Sequence, residues 1–344
     1  MRVLMTGADG YIGTRMGGVL IDAGHDVTGL DTGFHRSGWL YHSPEPRPSV
    51  TTGDTRDITP DDLHGYDAVV HLGELSNDPV GELNRDLTYQ INHRATVRLA
   101  TLAKAAGVQR FVHMSSCSVY GASGDRPSSE LDTPAPLTAY AESKVLVERD
   151  VGSLADDDFS PTFLRNATAF GASPRQRFDL VVNDLAATGY LYKEIRMTSD
   201  GSPWRPFVHI LDIAGAVAGV LTASRDAVHG QIFNVGSDEQ NYQVRTIAET
   251  VADVIPGCSL TFGEPSPDRR NYRASFEKIR ALLPNFSCQW DVRRGVEELV
   301  RTFEAISFGE VDYRSPRYSR VLQVKHLLST GQIDDDLRWT YPAD

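Results

Sequence analysis

The stretch TGADGYIG at residues 6–13 decides the fold, because a short apolar strand precedes it and a helical pattern follows it. Gly7 permits a tight turn, Gly10 lets the backbone approach a pyrophosphate, and Gly13 lets the helix pack closely on the strand. The N-terminus of that helix would face the phosphates. The stretch predicts the first strand, turn and helix of a dinucleotide-binding fold. A glycine turn without a ligand is the alternative that it leaves open.

Strands and helices alternate outward from this turn. We predict strands at residues 3–6, 26–31, 68–71, 110–115 and 161–165, with helices starting at residue 11 and spanning 97–106 and 138–153. Such alternation predicts an α/β fold with a doubly wound parallel sheet of the Rossmann type. Residues 34–50 are rich in Pro, Ser and His and predict a surface loop near the cofactor.

The pattern loosens after residue 171, where we predict helices near 212–224, 246–254 and 292–306. We expect a cofactor-binding domain over residues 1–171, to which parts of later segments return. A smaller α/β region over 172–311 would mainly bind substrate, and 312–344 would form a helical tail. Apolar residues at helical spacing in that tail predict a helix packed on the body or, alternatively, a dimer contact.

An acidic residue ends the second predicted strand. Asp31 follows the glycine turn by about 20 residues, where a carboxylate accepts hydrogen bonds from the adenosine ribose and repels a 2′-phosphate. We therefore expect NAD rather than NADP. Asp54 and Asp57 follow the third strand, where adenine would lie, although isolated surface acids in a turn would look the same.

Composition excludes several classes of partner. The formal net charge of −12 argues against nucleic acid, which needs clustered Lys and Arg. The three cysteines form no CxxC pair and no cluster with His at metal spacing, so we expect no metal site. Neither a signal peptide nor an apolar run long enough to cross a bilayer is found, and we expect a cytoplasmic protein without membrane contact.

A tyrosine and a lysine lie four residues apart in the predicted helix over 138–153. Tyr140 and Lys144 would share one helix face, about 25 residues after the strand that leads to Ser116. A nearby ammonium and the nicotinamide cation would lower the pKa of the tyrosine, so that Tyr140 could take a proton from a hydroxyl as hydride leaves. Ser116 could hold the same hydroxyl.

Taken together, the glycine turn, Asp31, Ser116 and the YxxxK pair resemble the extended short-chain dehydrogenase/reductases, over residues 1 to about 299. The chain is most similar to their NAD-dependent nucleotide-sugar epimerase/dehydratase family, typified by UDP-galactose 4-epimerase. The resemblance implies an enzyme that keeps NAD bound, a nucleotide-sugar substrate and a homodimer. It also implies cofactor contacts at Tyr11, Ile12, Leu72, Tyr140 and Lys144.

In this family, the two residues after the catalytic serine decide what happens to the 4-keto sugar. The 4,6-dehydratases carry Asp-Glu there and the decarboxylases a Glu, whereas this chain has Cys117 and Ser118. Elimination and decarboxylation therefore lose support. In the 3,5-epimerases a catalytic Cys occupies the second of these places, which leaves Cys117 either a small packing residue or an acid/base one position early. The resemblance also implies that Ser116, Cys117 and Ser118 contact the substrate.

The resemblance also implies a substrate site. Arginines at the positions that bind the diphosphate are Arg205 and either Arg269 or Arg270, and Asn183 would touch the nucleotide or its phosphates. Thr168 stands where the epimerases carry an Asn that contacts the sugar. Glu74 replaces a small residue near the nicotinamide, and it is either a substrate-facing carboxylate or a solvated loop residue.

These residues favour an NAD-dependent nucleotide-sugar epimerase that acts at C4 by transient oxidation and re-reduction. A 4-ketoreductase uses the same residues and is the main alternative, followed by a 3,5-epimerase or a dehydratase. A noncatalytic NAD-binding module has no need for Ser116, Tyr140 and Lys144 together.

Overall fold

The computed structural model describes residues 1–122, 126–265 and 270–341. In chain order, the strands are β1 (Arg2–Thr6), β2 (Asp26–Asp31), β3 (Ser49–Thr52), β4 (Ala68–His71), β5 (Arg110–Ser116), β6 (Ser160–Asn166), β7 (Thr168–Phe170), β8 (Glu194–Arg196), β9 (Trp204–His209), β10 (Ile232–Val235), β11 (Asn241–Gln243) and β12 (Ser259–Thr261). The helices are α1 (Gly13–Asp22), α2 (Asp78–Gly81), α3 (Arg85–Thr88), α4 (Ala95–Ala105), α5 (Ala139–Gly152), α6 (Val181–Tyr192), α7 (Ile210–Thr222), α8 (Arg225–Val228), α9 (Val244–Val254), α10 (Glu277–Leu282), α11 (Val292–Ala305), α12 (Glu310–Tyr313) and α13 (Arg320–Ser329).

A parallel sheet of seven strands forms the centre, in the order β10-β6-β5-β4-β1-β2-β3. Every residue of β4 and β6 is buried, as expected for strands that helices cover on both faces. The strand order reverses between β1 and β4, which opens a crevice at their carboxyl ends. The glycine turn after β1 lies at this crevice. The predicted fold class is confirmed.

Residues after 171 contribute to two layers. Strand β10 joins the central sheet beside β6, whereas β9 pairs with β7 and β11 in a small three-stranded sheet. A second apolar core forms among α6, α9 and α11, centred on Phe207, Ile247 and Leu299. This smaller region stands beside the carboxyl edge of the central sheet, because β7 follows β6 almost directly.

The loop predicted over residues 34–50 is less exposed than expected. Its last two residues belong to β3, and Phe34 is buried. The ring of Trp39 lies between the guanidinium groups of Arg47 and Arg175, at 4.1 and 4.0 Å from its centroid. Aromatic and cation–π packing therefore fixes a segment whose composition indicates a solvated loop.

Residues 320–341, called the closing segment here, pack back on the cofactor-binding half. Helix α13 and the turn after it pack against residues that follow β2 and β4. The buried members of this apolar cluster are Phe34, Leu75, Val80, Leu87, Ile91, Val324, Leu327, Ile333 and Leu337. The amphipathic pattern in this segment thus serves an internal contact. Across the described ranges, every helix is too short or too polar to span a bilayer.

Candidate active site

The turn after β1 accepts only glycine at two positions. Gly7 has a φ of +71°, and a Cβ there would lie 2.7 Å from the carbonyl carbon of Leu72. A Cβ on Gly13 would lie 2.2 Å from the carbonyl oxygen of Gly7. The absence of side chains lets the turn, the start of α1 and the loop after β4 close around one space. That space suits a ligand that approaches the backbone closely.

One elongated cavity runs along this turn. It reaches from the ends of β2 and β3 to the loop after β4, and the closing segment covers one side. Residues that are far apart in the sequence line it, including Gly7, Gly10, Tyr11, Ile12, Gly13, Asp31, Asp54, Leu72, Glu74, Arg177, Arg320 and Val324. Glycine backbone in the middle and an acid at one end match the requirements of a dinucleotide.

Backbone hydrogen bonds fix Asp31 at the end of this cavity. Its carboxylate accepts from the N–H of Asp9 at 3.0 Å and from the N–H of Gly33 at 2.8 Å. Burial raises the pKa of Asp31, and these two bonds oppose that effect. The carboxylate is therefore oriented before any ligand arrives.

The two acids after β3 lie in different places. Asp54 lines the cavity and forms an ion pair with Arg56 at 2.6 Å. Asp57 does not line this cavity; it is mostly exposed and binds Arg338 of the closing segment. The expected adenine contact therefore fits Asp54 better than Asp57, because only Asp54 lines the cavity, although Arg338 forms ion pairs with both acids.

Helix α5 carries Tyr140 and Lys144 toward the end of β5. Thr138 caps this helix by accepting a hydrogen bond from the N–H of Ala141 at 3.2 Å. The Lys144 ammonium lies 5.4 Å from the centre of the Tyr140 ring. The local spacing that the sequence shows is thus reproduced on one helix face.

The electrostatic environment of Tyr140 differs from the expected one. Burial raises the pKa of Tyr140, and the charges of Glu74 and Asp78 raise it further. A hydrogen bond with Ser116 and the charge of Arg177 act in the opposite direction. In the protein by itself, the pKa of the tyrosine is therefore raised and not lowered, because burial outweighs the stabilising groups.

Glu74 explains part of this difference. Its side chain is only 3% exposed and accepts a hydrogen bond from the Lys144 ammonium. The interpretation of Glu74 as a solvated loop residue is therefore wrong. The carboxylate oxygens also lie within 4.8 Å of ring nitrogens of His71 and His113. Lys144 already supplies the cation for Glu74, so we assign no metal to this group.

The two residues after Ser116 differ in burial. Cys117 is fully buried, its Sγ donates to the carbonyl oxygen of Arg165 at 3.1 Å, and burial raises the pKa of the thiol. A substrate contact at Cys117 is therefore wrong, and the packing interpretation fits. Ser118 is half-buried, and its N–H donates to the Ser116 hydroxyl at 3.1 Å.

Asn183 has a structural position. It is fully buried, and its amide donates to the Tyr11 hydroxyl and the Arg177 carbonyl while it accepts from the N–H of Gly171. These internal bonds give the expected nucleotide contact of Asn183 no support, because the side chain has no exposed surface and its polar atoms already have partners.

The remaining substrate-side residues come from several segments. Arg205 donates to the carbonyl of Trp204 and lies 5.2 Å from the Tyr272 ring. Arg270 forms an ion pair with Asp78. Thr168 is half-buried at the start of β7. Arg269 lies outside the described residues. Their contacts with substrate stay predictions.

Sequence reasoning missed three side chains near the site. Asn92 sits in a π-helical turn over Tyr89–Arg94, and its amide accepts from and donates to the backbone of Leu75 at 2.8 and 3.0 Å. Arg177 and Arg320 line the cavity, and both are buried. A π-helical turn often marks a functional site, yet nothing in the local sequence indicated this one.

Comparisons with known proteins agree with this geometry. The model of the "NAD dependent epimerase/dehydratase family" matches residues 3–236. A UDP-glucose 4-epimerase of Yersinia pestis is 31% identical over 339 residues, covering 87% of this chain and 95% of that protein. One from Corynebacterium glutamicum is 30% identical over 326 residues, covering 87% and 94%. The structure of MoeE5 in complex with UDP-glucuronic acid and NAD is 25% identical with a TM-score of 0.75, covering 89% of this chain and 99% of that chain. The chain therefore belongs to the NAD-dependent epimerase/dehydratase family.

Proposed function

We propose that the protein inverts the configuration at C4 of a nucleotide-linked sugar, by oxidation to a 4-keto sugar and re-reduction with the same bound NAD. The observation that carries this proposal is the complete set of Ser116, Tyr140 and Lys144 beside a cavity suited to a dinucleotide. The curated relatives named UDP-glucose 4-epimerase support it.

The residues of this chain would handle the proton and hold the reacting oxygen. When bound, NAD supplies the hydride acceptor, and its oxidised ring adds a positive charge that favours a phenolate at Tyr140. Tyr140 takes the proton of the C4 hydroxyl during oxidation and returns it during reduction, so no net proton is consumed. Ser116 holds the same oxygen through its hydroxyl.

The carboxylates near Tyr140 argue against loss of water or carbon dioxide. Glu74 is bonded to Lys144, and Asp78 is engaged by Arg270 and by the Thr138 hydroxyl at 2.6 Å. Neither acid follows Ser116 directly in the sequence, which is where the 4,6-dehydratases of this family carry their acids. The 4-keto sugar would therefore return to an alcohol without elimination.

The closing segment supports retention of the cofactor. It places Arg320 and Val324 in the cavity wall and covers one side of the cavity. An epimerase first reduces and then reoxidises the same cofactor molecule in each turnover, so it gains from such retention. A net ketoreductase has to exchange NAD in every turnover. This feature favours epimerase over reductase.

Two measurements test the proposal. Mass spectrometry of ligands released from the denatured purified protein should find NAD. With UDP-glucose deuterated at C4 as the probe, the product should keep deuterium at C4 with inverted configuration and gain no solvent hydrogen at C3 or C5. Solvent hydrogen at C3 or C5 would favour a 3,5-epimerase, and deuterium at C6 would show elimination; either result would overturn the proposal.

The family resemblance also supports a cytoplasmic homodimer as a proposal. Light scattering of the purified protein would test the dimer, for which a single species of twice the chain mass is expected. Cell fractionation would test the location.

A further inference from the structure

A buried acid lies directly behind the catalytic lysine. The side chains of Glu74 and Lys144 are each 3% exposed, and they form an ion pair although 70 residues separate them in the chain. Lys144 also donates to the carbonyl oxygen of Met114 in β5, and the Thr96 hydroxyl of α4 donates to Glu74 at 3.4 Å. The lysine is thus fixed between the loop after β4 and the strand that leads to Ser116.

Two histidines also face Glu74, but neither supplies a positive charge. The Nε2 atoms of His71 and His113 lie 3.9 and 3.8 Å from Oε1 of Glu74. Burial and the charge of Lys144 lower the pKa of His71 to about 3 and that of His113 well below its usual range. Both rings are therefore neutral near pH 7. Burial raises the pKa of Glu74, and the charge and hydrogen bond of Lys144 oppose that effect, so Lys144 is the cation that balances Glu74.

The same pair acts on Tyr140. The groups that face Tyr140 are Lys144 on its own helix, Glu74 from the loop after β4, Asp78 of α2, Ser116 of β5, and Arg177. An unpaired ammonium beside the ring would favour the phenolate strongly, but an ionised carboxylate on the same ammonium offsets much of that effect. Glu74 therefore weakens the influence of the lysine on the tyrosine.

We infer that Glu74 is a positioning residue for the reaction: from the wall of the cofactor cavity it fixes the Lys144 ammonium and offsets its charge beside Tyr140. This inference rests on the proposed roles of Tyr140 and Lys144. The family that the chain resembles commonly has small residues at this position. Such residues could not perform this function of Glu74.

The decisive variant is Glu74→Gln, which keeps the shape and removes the charge. Removal of a negative charge near a phenolate lowers the pKa of the phenol, so Tyr140 should lose its proton at lower pH. The ascending limb of kcat against pH should move toward acid by about one pH unit, with little change in KM. Glu142→Gln is the matched control, because Glu142 lies on the same helix but is bonded to Tyr89 and Arg85 at the surface. The ascending limb of this variant should stay where it is in the parent protein.

A second readout does not depend on turnover. The phenolate absorbance of NAD-saturated protein is titrated, and the titration of a variant that also carries Tyr140→Phe is subtracted, which isolates Tyr140. A shift toward acid in Glu74→Gln supports the inference even if UDP-glucose is not the substrate. An unchanged titration overturns it, whether or not the protein proves to be an epimerase.

Glu74→Ala and Glu74→Asp complete the test. Glu74→Ala places a small residue at this position. Like Glu74→Gln, it should shift the titration of Tyr140 toward acid. Glu74→Asp keeps the charge, so the ascending limb of kcat against pH should lie where it does in the parent protein, even where kcat itself falls. Loss of the fold in both neutral variants would make the pair a stability element and would overturn the inference.

Discussion

The indole Nε1 of Trp339 donates a hydrogen bond of 2.7 Å to the carbonyl oxygen of Thr32, across 307 positions of the chain. The Trp339 ring also packs against Phe34, with ring centres 5.6 Å apart. Both partners lie within three residues of Asp31, so this contact ties the closing segment to the end of the cavity where Asp31 lies.

Removal of this contact should loosen the cofactor. Trp339→Ala loses one hydrogen bond and the packing on Phe34, and NAD should dissociate about tenfold faster or more. The rate is measured by dilution of NAD-loaded protein into a trap that binds free NAD. Tyr341→Ala removes an exposed aromatic ring two residues later and serves as control. Equal rates for parent and Trp339→Ala would show that the segment does not retain the cofactor.

Asp31 should determine the choice between NAD and NADP. Asp31→Asn keeps the size of the side chain and removes its charge, so NAD should bind about tenfold more weakly while binding of NADP improves. Calorimetric titration of apoprotein with each cofactor measures both effects. Parent protein that binds NADP as tightly as NAD would contradict the repulsion argument.

Tyr140→Phe separates cofactor binding from proton transfer. The ring remains on α5 and only the hydroxyl is lost, so turnover should fall by at least about a hundredfold while NAD stays bound. Epimerase assays and mass spectrometry of the released cofactor measure the two properties. Activity within a few fold of the parent would remove Tyr140 from the mechanism.

The buried position of Cys117 predicts that its thiol is dispensable for the reaction. Cys117→Ala should keep a kcat near that of the parent and lower the free energy of unfolding by about 1 kcal/mol, because a small buried group is lost. Urea unfolding and turnover assays provide the measurements. A large loss of kcat without loss of stability would instead return Cys117 to an acid/base role.

Features that depend on local spacing could be read from the sequence. The glycine turn, Asp31 at the end of β2, and the pair Tyr140 and Lys144 follow from strand and helix periods, and the structure places the corresponding elements within a few residues of the predicted bounds. These features are local, since each depends on residues that are close together in the chain.

Contacts between distant segments could not be read in this way. Glu74 meets Lys144 only because the loop after β4 and helix α5 close on the same strand end, and the sequence leaves a solvated carboxylate equally plausible. Asn183 stands at a position typical of a nucleotide contact, but the turn at Gly171 and the Tyr11 hydroxyl use its amide. The packing of distant segments decides which neighbour binds such a polar group, and the local sequence does not show that packing.

The closing segment also determines when the protein can first hold its cofactor. A ribosome makes residues 320–339 after every other residue that lines the cavity, so a nascent chain can complete the central sheet while the end of the cavity at Asp31 is still open. The bonds from Arg56 to the carbonyl oxygens of Asp336 and Leu337 form only after those late residues have emerged. Tight capture of NAD therefore has to wait until residues 320–339 have been made, and a ribosome-bound chain stalled before residue 320 should exchange NAD freely.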